Sequence, residues 1–411
     1  MIAEKFPRPL PRLGEMLRAY RGHHLAIGIV SFLFASTGPV AIIVSVCLAR
    51  GLKEEDIASW LLIGFALSGI FTVVLSIGYR MPLAIGWTIP GSVLVDPKIS
   101  GQLSFPEVLG ACMAAGAVIL VLGLSGLVKR AMNAIPMPLV MAMIAGIFLN
   151  FGIGIVKAFD QTFWVAFATL AGFIVFTLLP RIGRYCPPVF AALIAGAVVC
   201  VATGQYKPSG EMTALIALPK FYMPEFSLQG MIELVIPMTV AVLVLQNANG
   251  LTILKAAGFD PPTNTVTNLC GVGSIVYASM GSVNTCLTGP VNAILTASGD
   301  KETHYLGGVT WGIFAILFGL FGPLMTKLMV GLPSAFIMIL GGLALLRVLQ
   351  ASFVQAFRDK FTLGALVVFL VTVSDLRIFN IGPAFWGLVF GLATSWLMER
   401  KDFETPEPAA K

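Results

Sequence analysis

Along this chain, apolar runs of about twenty residues alternate with short polar loops, and a run of that length crosses the ~30 Å hydrocarbon core as a helix. Taken in order, the runs predict fourteen membrane segments. Seven lie near 25–49, 57–79, 83–96, 106–128, 136–157, 162–180 and 186–203. Seven more lie near 228–254, 265–280, 284–298, 304–328, 333–350, 361–375 and 380–398. A polar, proline-containing loop, 204–226, divides the two groups. An odd number of spans per group sends the second group into the membrane from the opposite side, which makes a 7+7 inverted repeat.

Two of these runs are short and carry polar residues that no lipid-facing helix would hold. The first includes Trp87, Thr88, Pro90, Gly91 and Ser92; the second includes Asn284, Thr285, Thr288, Gly289, Pro290 and Asn292. Non-helical backbone at bilayer depth is tolerated only where it is buried in protein or lines a cavity. Both runs contain Thr-x-Pro, at 88–90 and 288–290, and proline is favoured at the first helical position. Each run is therefore predicted to be an extended approach followed by the N-terminus of a half-helix (segments 3 and 10). Such a pair at matching places in two halves points to a transporter binding site.

A second pair of polar clusters sits at matching places within spans 1 and 8: Ser36, Thr37 and Gly38 in one, Gln246, Asn247 and Asn249 in the other. Spans 5–7 and 12–14 are apolar with small residues interspersed, which suits close helix packing. The predicted division is a polar-centred core from 25–128 and 227–330 and an apolar scaffold from 129–203 and 331–399. An extracytoplasmic linker at 204–226 and cytoplasmic tails at 1–24 and 400–411 complete the chain.

Composition sharpens this picture. The chain is 57% hydrophobic and 11% charged, against about 25% charged in a soluble domain, so a soluble globule is excluded. The net charge of +6 does not imply a nucleic-acid partner, because the cations are spread over short loops. With the N-terminus inside, eighteen of the 26 Lys and Arg residues fall on the inner side, Lys129, Arg130, Arg181, Arg184 and Lys411 among them. Eight, including Arg377, fall outside. The positive-inside rule then places both termini in the cytoplasm. No cleaved signal peptide is predicted. The six cysteines are scattered without paired spacing and read as buried thiols. His23, His24 and His304 lie at span edges, so neither a metal site nor a cofactor is expected. No nucleophile with a base, and no carboxylate pair, converges to suggest an enzyme.

No charged residue falls at the predicted mid-depth of any span, so an anionic substrate would have to be held by backbone dipoles. Two facing helix N-termini supply free N–H groups and partial positive charge. Hydroxyls of Thr88, Ser92, Thr285 and Thr288 and the amides of Gln246, Asn247 and Asn249 are the side-chain candidates, with Trp87, Phe34 and Phe32 for an aromatic wall. The same polar groups also have a plainer use in bonding neighbouring helices. Asp96, Glu107 and Glu233, near span ends, are the titratable candidates for proton coupling.

The stretches FASTGPV (34–40), TIPGSVL (88–94), QNANGLTILKAAG (246–258) and AFWGLVFG (384–391) resemble the BenE family of bacterial benzoate:proton symporters over nearly the whole chain. The Gln-Asn-x-x-Gly followed by Lys-Ala-x-Gly is the most specific of these. That family is in turn similar to the uracil, bicarbonate and sulfate carriers. The resemblance implies an all-α polytopic fold of fourteen spans, with a mobile core domain, a gate domain and a substrate between half-helices 3 and 10. Where the uracil carrier has acidic residues, at the places matching Gln246 and 288–292, this chain is uncharged. The function expected is import of an aromatic carboxylate such as benzoate, with protons, by an elevator-like movement of core against gate. The alternative is another small anion or a nucleobase. The partners expected are that small molecule, protons and the bilayer, and the architecture leaves room for a homodimer.

Overall fold

The computed structural model describes residues 4–404 except 102, 129–134, 180–185, 208–213, 298–299, 375, 377 and 379–381. Lys129, Arg130, Arg181, Arg184, Arg377 and Lys411 thus lie outside the described residues. Each of the fourteen predicted segments contains a helix. Among the described residues, seven helices are long and apolar enough to cross a membrane, from Gly22–Ala49 to Ser334–Ala356. Span 1 is not continuous. It is two helices, Gly22–Ser36 and Gly38–Ala49, which break at Thr37 (φ −102°, ψ −89°). The break follows from Pro39, which has no N–H for the helix ladder, and from Gly38, whose missing side chain lets Ala344 of helix Ser334–Ala356 pack against the backbone.

Among the described residues, one pair of strands stands between the helices. Ile85–Trp87 (β1) and Thr285–Leu287 (β2) are short strands that pair antiparallel, with Gly86 opposite Cys286. Two further bonds continue the ladder symmetrically: Thr88 N–H donates to Asn284 O and Thr288 N–H to Ala84 O, both at 2.9 Å. An extended approach at this depth has no water to satisfy its backbone, so the two approaches satisfy each other. Beyond them run the half-helices Ile89–Leu94 and Gly289–Leu295, with Pro90 and Pro290 in their first turns. The paired prolines read from the sequence therefore mark two helix starts on either side of one small ribbon.

Two longer helices widen next to this ribbon. Span 2 has π-helical turns at Leu62–Leu67 beside β1, and span 8 has them at Ala241–Asn247 beside β2. Such turns shift the facing of the residues that follow and recur at functional sites. Phe105–Ser125 packs on Thr263–Ser279, and His304–Leu320 packs on Gly22–Ser36 and Ser68–Tyr79. Separately, Met137–Gln161 packs on Ser334–Ala356, Phe163–Leu178 on Pro188–Ala202, and Thr362–Val373 on Pro383–Met398.

Loop contacts sort onto two faces. On one, Arg80 meets Glu15 at 3.9 Å and Arg8 meets Glu302 at 4.0 Å. On the other, Lys220 of the linker bridges Asp56 at 2.5 Å, the Tyr222 hydroxyl donates to the same carboxylate, and Glu225 N–H donates to Pro106 O at 3.0 Å. The six cysteines are free thiols, five of them buried. His23 and His24 have ring centroids 3.8 Å apart, and His304 is near enough to His24 to interact with it. The three histidines thus gather on one face, although no group of three possible metal ligands forms among the described residues.

The N-terminal tail is tied to its face by a carboxylate. Glu4 accepts from the N–H groups of Asn264 (2.9 Å) and Thr265 (2.7 Å) and from the Thr265 hydroxyl (2.7 Å), capping the first turn of helix Thr263–Ser279. Partial burial would raise this carboxyl, but the donors outweigh it and hold the group below its ordinary value of 4.5. A depressed carboxylate stabilises the fold above its unfolded value and loses that contribution as pH falls through its folded value. Exchange protection of the Asn264 and Thr265 amides, corrected for intrinsic rate, should therefore hold at pH 7, decline below about 4.5, and be lost at both pH values in Glu4→Ala. Equal protection in wild type and variant would show that the tail is not clasped by this residue.

Candidate functional site

The cavity of interest opens where the half-helices begin. Phe34, Trp87 and Trp311 form its aromatic walls, Gln246 and Thr288 its polar ones, and Pro290 and Val291 its floor on the second half-helix. Its water-accessible volume is about 30 Å³, well below the ~300–1,000 Å³ of small-ligand sites, so an aryl carboxylate enters only if these walls part. Phe65, from the widened turn of span 2, backs Trp87 at a ring separation of 4.6 Å and Phe318 at 4.4 Å. The predicted wall residue Phe32 instead packs on Phe314 and Phe318, away from the cavity lining.

The two half-helix ends differ in how they are capped. At the first, the Thr88 hydroxyl accepts from Gly91 N–H at 3.2 Å, and Ser92 turns its hydroxyl back to Thr88 O at 3.1 Å. At the second, the Thr288 hydroxyl donates to Ala84 O at 3.0 Å and caps nothing. The Val291 N–H consequently has no acceptor among the described residues, at a cavity-lining position. An uncapped helix start with no cation nearby is a site for an acceptor.

Several predicted site residues hold the ribbon and do not line the cavity. Asn292, fully buried, accepts from Ala84 N–H at 2.9 Å through Oδ1. Asn247 Oδ1 accepts from Leu287 N–H at 2.8 Å, and Asn284 Nδ2 donates to Cys112 O at 2.9 Å. The Thr285 hydroxyl donates to Gly86 O at 2.6 Å, and Thr37 donates to Leu33 O at 2.9 Å. Ser36 is half-buried one residue before the helix break. Asn249 is exposed, and its side chain lies across Gly289 outside the cavity. Pro90 and Gly91 build the first half-helix without lining the space.

Sequence reasoning missed Trp311 and Val291. Trp311 stands seven residues into helix His304–Leu320 and is 1% exposed. Tryptophan in membrane helices favours the interfacial belts, so an indole set this deep was a readable signal. Val291, a plain apolar residue, carried none.

Comparison with known proteins follows from this geometry. The family model described as "Benzoate membrane transport protein", BenE, matches residues 19–397. The Escherichia coli K12 inner membrane protein YdcO is 32% identical over 375 residues, covering 89% of this chain and 93% of that protein. A benzoate membrane transport protein of Acinetobacter baylyi is 28% identical over 379 residues, covering 90% and 94%. Among solved structures, the transmembrane domain of the cyanobacterial bicarbonate transporter BicA aligns with a TM-score of 0.63 at 16% identity, over 93% of this chain and 99% of that one. The murine anion transporter Solute Carrier 26 family member A9 aligns at 0.61 and 15%, over 97% and 72%. At such identity, the last two speak for the fold alone.

Proposed function

Because this chain belongs to the BenE family of benzoate membrane transport proteins, we propose that it is a secondary transporter that imports an aromatic carboxylate such as benzoate, together with protons, across the bacterial inner membrane. The observation that carries this reading is the cavity at the half-helix starts. Its walls are aromatic, its free backbone group is a donor, and no cation lines it. An aryl ring suits Phe34, Trp87 and Trp311, while a carboxylate suits the Val291 N–H and the partial positive charge of a helix start. Gln246 and Thr288 complete the polar side. Transport follows if the helices that carry the half-helices move as a core against a gate built from spans 5–7 and 12–14, opening the cavity to each side in turn. Both termini face the cytoplasm on this reading, in keeping with the loop charges.

Proton coupling requires a titratable group at the moving boundary, and Glu233 has the right place. It is 3% exposed, and its carboxylate lies against Gly382, the residue before helix Pro383–Met398 of the gate. Gln229 donates to it at 3.4 Å. Arg50 is in electrostatic reach of both Glu233 and Asp96 and itself holds Val95 O, Ser100 Oγ and, at 3.0 Å, Leu103 O. A carboxylate that must leave such partners to slide past another surface does so at lower cost when protonated.

Uptake by proteoliposomes tests both statements. Labelled benzoate should accumulate when the outside is acidic, and excess sulfate, bicarbonate or uracil should not compete. Glu233→Gln should lose accumulation driven by the pH gradient and retain benzoate exchange across equal concentrations. Uptake that is blocked by bicarbonate or uracil, and not by benzoate, would replace the substrate; gradient-driven accumulation in Glu233→Gln would remove this residue from coupling.

A further inference from the structure

Two residues of the cavity wall carry donors to which the reading above gives no role. Trp87 is 4% exposed and Trp311 1%, both line the cavity, and neither indole N–H meets an acceptor among the described residues. A buried tryptophan N–H normally finds a partner, and two residues on the walls of one cavity go without one. We infer that the indole N–H groups of Trp87 and Trp311 join the Val291 N–H in binding the carboxylate oxygens of the substrate. This rests on the cavity being the substrate site.

Chemistry separates this pair from the other polar groups nearby. An indole nitrogen is a donor only, whereas a glutamine amide and a threonine hydroxyl donate and accept. Two fixed indole donors therefore select a group that only accepts. A carboxylate qualifies. An amide or a nucleobase brings its own N–H groups and would leave them facing other donors. Both rings are held in place: Trp87 lies between Phe65 and the backbone of Gly64, and Trp311 sits within a helix that packs on two others. Donors fixed in this way lose little side-chain freedom when the anion arrives. They also explain how a chain with no charge at this depth can hold an anion without a cation.

Tryptophan to phenylalanine keeps a ring and deletes the N–H. With the full-length protein in nanodiscs, titration calorimetry should show benzoate Kd rising about tenfold in Trp87→Phe and again in Trp311→Phe, the loss of one hydrogen bond to a charged group in each. The indole band in ultraviolet resonance Raman spectra, which reports N–H hydrogen bonding, should shift when benzoate binds the wild type. Kd values within twofold of wild type in both variants overturn the inference, and so does an unshifted band in wild type that binds benzoate. Should a variant fail to fold, the wild-type spectrum alone decides. Wild-type protein that binds no benzoate instead overturns the substrate reading itself.

Discussion

Asn292→Asp is expected to abolish accumulation of a carboxylate substrate, while Lys98→Ala and Lys207→Ala transport at near wild-type rates. Asparagine and aspartate are nearly the same shape, and the new carboxylate keeps an oxygen for the Ala84 N–H, so the ribbon survives. What changes is charge. Asn292 is fully buried in the first turn of the second half-helix, next to cavity-lining Val291. An anion there repels a bound carboxylate by about 2 kcal/mol at ~8 Å and an effective dielectric near 20, roughly thirtyfold in affinity. It also neutralises the helix start that attracts the substrate. Lys98 and Lys207 are exposed loop cations whose contribution is screened within about 8 Å at physiological salt. Uptake assays on variants matched for expression and melting temperature decide the matter. Transport by Asn292→Asp, combined with failure of the lysine variants, would move the anion site away from these helix ends. Ser92→Asp is a less clean test, because the Ser92 hydroxyl donates to Thr88 O in a fully buried turn and a larger side chain would disturb it.

Two adjacent amides should give opposite phenotypes. Asn247→Ala removes the acceptor for Leu287 N–H and leaves that buried donor without a partner, at a cost of about 1–3 kcal/mol. The loss falls on β2, whose pairing with β1 sets where both half-helices begin, so melting temperature and transport should drop together. Gln246→Ala takes away a cavity wall and no described structural bond, so benzoate affinity should fall about tenfold with the melting temperature unchanged. Thermal unfolding and binding titration on the same two preparations separate these outcomes. If Gln246→Ala melts early and binds normally, the residue belongs to helix packing.

The difference between those neighbours shows where legibility in the sequence ended. Gln246 and Asn247 are both polar, both uncharged and both within one span, and nothing in their order tells which faces the cavity. The π-helical turns at Ala241–Asn247 decide it by setting the rotation of the span against β2. Asn284, Thr285 and Asn292 were read as substrate ligands because they are polar at membrane depth, and the structure engages each with backbone of the ribbon or of a neighbouring helix. Depth was legible in each case; facing was not. Trp311 belongs to the same category, since its contribution to the cavity depends on how helix His304–Leu320 packs beside span 1.

The sequence by itself determined the membrane class, the position of each apolar helix, the two-fold repeat and the two interrupted segments. These are local matters: a run of apolar residues lowers free energy in hydrocarbon wherever it occurs, and Thr-x-Pro constrains its own backbone without help from the rest of the chain. Only the tertiary structure decided that Ile85–Trp87 and Thr285–Leu287 pair, that Thr288 leaves Val291 uncapped by turning to Ala84, and that Phe34, Trp87 and Trp311 enclose one space. Those outcomes join residues some two hundred positions apart. They depend on the rotation and register of packed elements, which close packing of the whole molecule sets and no local residue pattern encodes.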